Sequence, residues 1–418
     1  VLFVGLAVIV FLASLDQTIV ATAIPRIASE LGGLSEVYWI GSAYLLTTAA
    51  VTPLYGKLTD IFGLRNIFLF AIVMFLIGSL GCALSSSMLM LILFRALSGI
   101  GGESMYALSL VVVNATNPPK RSAMLQGWFG IVFTLSAAIG PLLGGVFTDH
   151  VTWRWAFYIN LPLGGAAAVI VFFALRLPPV RGSMRDKLRR IDYTGAVFLL
   201  AAIVSMLLGI GWGGNTYAWD SAVVISLLCV AAVLGGAFIW IEGWRAAEPF
   251  IPGRILKMRN VFLSMTLSFL AGWLIFTAVY YYPMFYQLVR NKSATDAGLM
   301  LLPLMIVCCV CTAVVTTMIG RTAAWTLPAS LVIGLAITAI SFGLTVLFTE
   351  VERTAVEVVV LCVAGLGLGT LWQGVFIAAQ ASADKPDVPV ATMLASFFNV
   401  VGATIGLTIS GSVFNNAL

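Results

Sequence analysis

Thirteen apolar stretches, each close to or above the ~20 residues that carry a helix across a bilayer's hydrocarbon core, succeed one another along these 418 residues. They fall at 1–25, 37–59, 66–86, 88–114, 122–148, 155–177, 193–213, 219–244, 260–288, 296–319, 326–349, 354–382 and 388–416. Lipid offers no partner for an exposed amide, so a spanning segment is a helix or part of a closed barrel. Runs this continuous lack the apolar–polar alternation of barrel strands. Hydrophobic residues make up 61% of the chain and charged residues 9%, far from the balance of a soluble domain. The expected fold is an all-α polytopic membrane protein.

The polar gaps carry the orientation, because Lys and Arg concentrate in cytoplasmic loops. Alternate gaps hold Lys57, Arg65, Lys120, Arg121, Arg176, Arg181, Arg185, Lys187, Arg189, Arg190, Arg245, Arg254, Lys257, Arg259, Arg321 and Lys385. The opposite gaps hold only Arg26, Arg154, Arg290, Lys292 and Arg353, beside the acids Glu30, Glu36, Glu350, Glu352 and Glu357. The first set is expected to be cytoplasmic, which puts the N-terminus inside. The net charge of +5 then reads as an inner-leaflet bias and not as a nucleic-acid footprint.

Six spans precede the longest polar gap, two follow it, and five more follow a second Arg- and Pro-containing gap. This layout predicts an N-terminal six-helix bundle over 1–177, a cytoplasmic linker at 178–192 and an inserted helix pair over 193–244. A second linker at 245–259 then leads into a C-terminal bundle over 260–418, with five of its helices present. Internal halves of this kind characterise secondary transporters, whose site lies near the midplane. Opening on Val1 inside an apolar stretch and stopping at the end of an odd-numbered one is expected of a piece of a longer chain.

Charged groups inside hydrocarbon are costly, so each is a functional candidate. Asp16 lies well inside the first span, and Arg95 and Glu103 lie in the fourth. Asp16 is either a carboxylate that fixes helix packing or a group that exchanges protons. A guanidinium does not give up its proton, so Arg95 is expected to tune a nearby carboxylate or hold a carbonyl. At 100° per residue, Glu103 is rotated ~80° from Arg95, so the two can border one cavity without touching, and Glu103 is a proton carrier, a contact for a substrate cation or a residue snorkelling toward water. Gly140 and Gly144 form a small-residue face in the fifth span, with Pro141 removing a backbone donor between them and Gly145 following. Gln17, Gln126, Trp128, Tyr281, Trp372 and Gln373 are candidates for lining a cavity that takes a flat amphipathic ligand.

Other features point away from chemistry. The six cysteines all lie in apolar spans, and Cys308, Cys309 and Cys311 have no acid or His beside them, which predicts core packing and no metal site. Gly365, Gly367 and Gly369 sit inside an apolar span, so they read as packing and not as a phosphate loop. No catalytic nucleophile–base pair is evident, and no Gly-Lys-Ser/Thr loop for ATP exists.

Several segments together resemble the major facilitator superfamily, in its fourteen-helix drug:proton antiporter branch and its fungal form. Gly56-Lys57-Leu58-Thr59-Asp60-Ile61-Phe62-Gly63-Leu64-Arg65 is similar to the signature loop between helices two and three. Leu15-Asp16-Gln17-Thr18 through Pro25 resembles the first-helix motif, and Phe94 to Gly102 resembles the fourth-helix arginine motif. Gly140-Pro141-x-x-Gly144-Gly145 is similar to the antiporter motif of helix five. Trp153 to Pro162 and Tyr282 to Gln287 also look like that branch. The sequence departs from the pattern at Leu64, where an Arg is usual, at Glu103-Ser104, where small residues are usual, and at Arg321, which has no acid nearby.

The resemblance implies two six-helix bundles plus the inserted pair, with a fourteenth helix missing, and proton-driven export by alternating access without a cofactor. By that likeness Gly56, Asp60, Gly63 and Arg65 form a cytoplasmic latch. The same likeness gives Arg95 to proton coupling, for which Asp16 and Glu103 are the candidate carboxylates on their own chemistry, and makes Gly140, Pro141, Gly144 and Gly145 a hinge. The expected cargo is small amphipathic or cationic organic compounds, moved by a monomer in the plasma membrane, with the vacuolar membrane as the other possibility. A basic amino acid carrier and a non-transporting nutrient sensor are the rival readings.

Overall fold

The computed structural model describes residues 1–20, 23–32, 39–177, 180, 183–214, 217–244, 251, 253–290, 294–321, 326–348 and 353–417, with some side chains inside these ranges left out. Thirteen long helices run through the described residues. They are α1 Leu2–Ile19, α2 Trp39–Phe62, α3 Leu64–Ala83, α4 Met88–Thr116, α5 Pro119–His150, α6 Asn160–Ala174 and α7 Tyr193–Trp212. The remainder are α8 Ala222–Trp244, α9 Arg259–Leu288, α10 Ala294–Arg321, α11 Thr326–Leu344, α12 Thr354–Ser382 and α13 Val388–Ala417. Short helices at Ile24–Leu31, Trp155–Tyr158, Met184–Arg189 and Gly253–Lys257 join them.

Among the described residues, 12 helices are long and apolar enough to cross a membrane. The long helix outside that set is α2, whose Tyr44, Thr48, Thr52 and Tyr55 lower its hydropathy and are all buried. The hydroxyls of Thr48, Thr52 and Tyr55 face protein, where they find partners. The first expected span, 1–25, is shorter than anticipated: α1 closes at Ile19, and a separate helix with Pro in its first turn begins at Ile24. Local chemistry sets other ends. Asp192 caps α7 by accepting from the Gly195 amide at 2.9 Å. Only Gly63, at φ +90°, separates α2 from α3, a backbone conformation that residues with a Cβ rarely adopt.

By contacts the chain groups into two compact units. One comprises Val1–Val112, Ser136–Met258 and Asp384–Phe397; the other comprises Val113–Leu135, Arg259–Ala383 and Phe398–Leu418. In the first unit α6 packs on α1 and α3, while α7 packs on α8 and α2. In the second, α12 is the hub, packed on α9, α10 and α11. Its glycines explain that position. A Cβ at Gly365 would meet the Leu304 carbonyl of α10 at 2.5 Å, and one at Gly369, a turn later, would collide with Cys308 on the same helix. Gly367, on the other face, abuts Thr338 of α11. Between helices in lipid, close van der Waals approach supplies what hydrophobic burial supplies in water.

Candidate functional site

The costly residues of the first unit come together. Arg95, two turns into α4, places Nη1 2.5 Å from Asp16 Oδ2 on α1. Its Nε donates to the Ile40 carbonyl at 2.9 Å, and its guanidinium lies over the Tyr44 ring, 4.3 Å from the centroid. Asp16 Oδ1 accepts from Asn160 Nδ2 at 2.9 Å, and the same amide lies 3.2 Å from Ser79 Oγ. Asp16 is 0% exposed and Arg95 2%. Around them Leu15, Ile19, Ile40, Cys82, Leu91, Trp153 and Phe157 form an apolar cluster. Such a pair is tolerable only because both charges are hydrogen-bonded as well as paired. Helices α1, α2, α3, α4 and α6 therefore meet on one polar knot.

The knot continues into an irregularity of α4. Gly102 has φ −8° and ψ −118°, outside the helical region. Hydroxyls of α2 reach the carbonyls just before it: Thr48 donates to Gly99 O at 2.8 Å and Tyr55 to Ile100 O at 2.7 Å. Thr52 and Ser104 add a contact at 3.1 Å just beyond the break. A Cβ at Gly102 would come within 2.6 Å of Tyr44 Oη, the residue whose ring carries Arg95. The ion pair and the break thus share Tyr44. Glu103 follows directly on α4, and its side chain lies outside the described residues.

The other sequence candidates divide. Gly56 approaches α13 so closely that a Cβ would lie 2.8 Å from Val390 Cα. Arg65 donates to the Phe172 carbonyl and stacks over that ring at 4.6 Å, and Asp60 is half-buried. On α5, Gly140 abuts Thr18 of α1, Gly144 is buried with its carbonyl accepting from Thr148 at 2.6 Å, and Gly145 meets nothing within 4 Å. The Pro141 side chain lies outside the described residues. In the second unit Gln126 donates to Gln380 Oε1 at 2.7 Å, and Trp372 packs on Phe133 with ring centroids 5.2 Å apart. Gln373 lies close to Gly130, whose Cβ would be 3.0 Å from its Cγ. Trp128 stands apart from them at 53% exposure, so it faces the surroundings. Tyr281 donates to the Leu407 carbonyl at 2.8 Å, and Gln17 is half-buried on α1.

Three placements were not legible in the sequence. Asn160 holds the second Asp16 oxygen, and its only signal is an amide in the apolar run Phe157 to Leu161. Trp153, which its position marks as interfacial, is 1% exposed and donates to Glu30 Oε2 at 2.8 Å. Arg154 pairs with the other Glu30 oxygen at 2.5 Å. These two hydrogen bonds hold the Glu30 carboxyl below the usual glutamate range, Arg154 contributing more than Trp153. Arg290 and Glu357, counted above among loop charges, form a second buried ion pair at 2.6 Å.

The family model described as Major Facilitator Superfamily matches residues 6–407. The chain belongs to that superfamily. It is similar to the MFS-type transporter astH of Aspergillus oryzae, at 36% identity over 100% of this chain and 74% of that one. It is 35% identical to the efflux pump aunC of Aspergillus niger, over 99% of this chain and 79% of the relative. A rubrofusarin-specific efflux pump, aurT of Gibberella zeae, is 34% identical over 98% and 76%. Among solved structures, the human organic anion transporter MFSD10 (TETRAN) matches with TM-score 0.69 at 15% identity, covering 99% of this chain and 93% of that chain. The proton:xylose symporter XylE matches at TM-score 0.65 and 13% identity, over 100% and 88%. The superfamily member described here is therefore an integral, multi-pass transporter of small molecules and not an enzyme.

Proposed function

We propose that the chain exports small amphipathic or cationic organic compounds in exchange for protons. Export draws support from relatives that are themselves named efflux pumps. The observation that carries proton coupling is the buried Asp16–Arg95 pair, tied through Tyr44 to the break in α4. Only the carboxylate of that pair exchanges a proton, since the guanidinium keeps its own. A proton arriving on Glu103 beyond the break removes a negative charge from the path of a cationic substrate, and one arriving on Asp16 removes the counterion of Arg95. Arg95 is then left with the Ile40 carbonyl and the Tyr44 ring, and Tyr44 passes the change to Gly102.

In this reading the two halves of the sequence rock about the inserted pair. Gly56, Asp60, Gly63 and Arg65 hold the cytoplasmic side closed, and the α5 glycines supply the hinge. Gln126, Trp372 and Gln373 face the substrate. The N-terminus is cytoplasmic, and the transporter works as a monomer in the plasma membrane. The test is reconstitution in liposomes with an imposed pH gradient, comparing labelled amphipathic drugs with labelled arginine and lysine. An acid lumen is expected to drive drug uptake by inside-out transporters, and nigericin is expected to abolish it. Gradient-driven movement of arginine or lysine, without the drugs, would instead make this a basic amino acid carrier.

A further inference from the structure

The second buried ion pair has no part in the cycle described so far. Tyr282 and Tyr286 lie one turn apart at the end of α9, and Arg290 stands two residues past that end, where it meets the first turn of α12. Arg290 Nη2 lies 2.6 Å from Glu357 Oε1, and that oxygen also accepts the Arg353 amide at 3.3 Å. Glu357 is 1% exposed, and its other oxygen, Oε2, is buried with no hydrogen-bond partner. The Tyr286 hydroxyl stands beside this carboxylate and interacts with it without reaching full hydrogen-bond geometry, and the Tyr282 hydroxyl is buried without a hydrogen-bond partner. Phe342 and Phe348 close over the tyrosines, with the Phe348 centroid 5.9 Å from Tyr282 and 6.4 Å from Tyr286.

Buried polar atoms are almost always satisfied, so three adjacent exceptions call for an explanation. A carboxylate oxygen with an unengaged lone pair, next to a hydroxyl that can donate or accept, is suited to receive a proton. Position adds an independent argument. In the first unit the acid sits on α1 and the base on α4, the first and fourth long helices. Here the base follows α9 and the acid is on α12, the first and fourth long helices after the second linker, with the signs exchanged. From the other elements packed here, α10 brings Cys308 into the cluster and Asp296 at its exposed first turn, and α12 begins at exposed Arg353. No further charged side chain among the described residues belongs to the cluster.

We infer that Glu357 is a second proton-exchanging residue of the transport cycle, with Tyr286 as its positioning partner. A proton binds Oε2, the neutral acid donates its O–H to Tyr286, and Arg290, still charged, loses its counterion. That loss loosens α9 from α12; return of the proton to solvent restores the pair. The inference rests on proton-coupled exchange, and the test separates the two.

Full chains in liposomes are loaded with ethidium as probe, and gradient-driven transport is compared with ethidium counterflow at equal pH. Wild-type transport that ignores the gradient overturns both readings. With a responsive wild type, Glu357→Gln is expected to lower the ratio of driven transport to counterflow at least tenfold, and Glu357→Asp to recover most of it. An unchanged ratio in Glu357→Gln overturns the assignment of Glu357 alone. If that variant does not fold, Tyr286→Phe, which keeps the ring, is expected to shift the pH midpoint of driven transport. A midpoint equal to wild type would likewise overturn the inference.

Discussion

Neutralising Asp16 while keeping its shape tests whether the knot of the first unit is held as two charges. In Asp16→Asn, the Arg95 guanidinium remains 2% exposed with the Ile40 carbonyl and the Tyr44 ring as its surroundings. Removing one member of a buried pair costs about 3–5 kcal/mol, because the remaining charge stays desolvated. Asn160→Ala provides the comparison. It deletes two interhelical hydrogen bonds, one to the same carboxylate and a longer one to Ser79 Oγ, and such bonds in membrane proteins average about 0.6 kcal/mol each with a maximum near 1.7 kcal/mol. The two substitutions should therefore differ severalfold. The double variant Asp16→Leu/Arg95→Met removes both charges and fills similar volume, so most of the single-variant loss should return. Equilibrium unfolding in mixed detergent–SDS micelles reads all four proteins. An Asp16→Asn cost no larger than that of Asn160→Ala, or a double variant no better than the single one, would refute a charged, mutually dependent pair.

Other outcomes follow from the same coordinates. Glu30 is held below the ordinary glutamate range, so it contributes stability above the unfolded-state value of about 4.3 and loses that contribution as pH falls through its folded value. Wild type should therefore exceed Glu30→Gln in thermal stability at neutral pH and converge with it in acid, by fluorescence melting; a gap that widens in acid would contradict the sign. Gly56→Val pushes a side chain into the Val390 backbone and should lower folded yield, an overpacking cost of about 1–3 kcal/mol, whereas Gly145→Ala meets open space and should not. Size-exclusion profiles compare the two. Tyr55→Phe strips a buried carbonyl of its donor beside the α4 break and should cost about 1 kcal/mol in the same micelle assay. Trp128→Ala, at an exposed position, should leave liposome transport within twofold of wild type, while Gln126→Ala should not.

How much was legible beforehand depends on the kind of residue. The lipid-spanning helices were, because a bilayer leaves one backbone solution for a long apolar run, and even the exception, α2, is explained by its own polar residues. Gly365 to Gly369 were readable as packing for the same reason. Asp16 and Arg95 were readable as costly. That they are partners was not, since 79 residues separate them and helix rotation decides which faces meet. That Arg290 and Glu357 form a buried pair was not, because hydropathy treats charges near span ends as loop charges and cannot see a neighbouring helix covering them. Trp128 and Gln126 lie only two positions apart, yet one is exposed and the other 1% exposed. A step of two residues turns a helix by about 200°, so their order in the chain never separates them.

Sequence by itself determined which segments leave water, their helical form, and which side chains are expensive to bury there. Tertiary structure alone decided what repays that expense. It supplied Asn160 to Asp16, α2 hydroxyls to the carbonyls just before Gly102, and Arg290 to Glu357. It also grouped Val113–Leu135 with the later helices and Asp384–Phe397 with the earlier ones. The physical reason is that insertion depends on hydrophobicity summed along one segment. Pairing depends on the azimuth of single side chains on several helices at once, which is fixed only when the helices have packed.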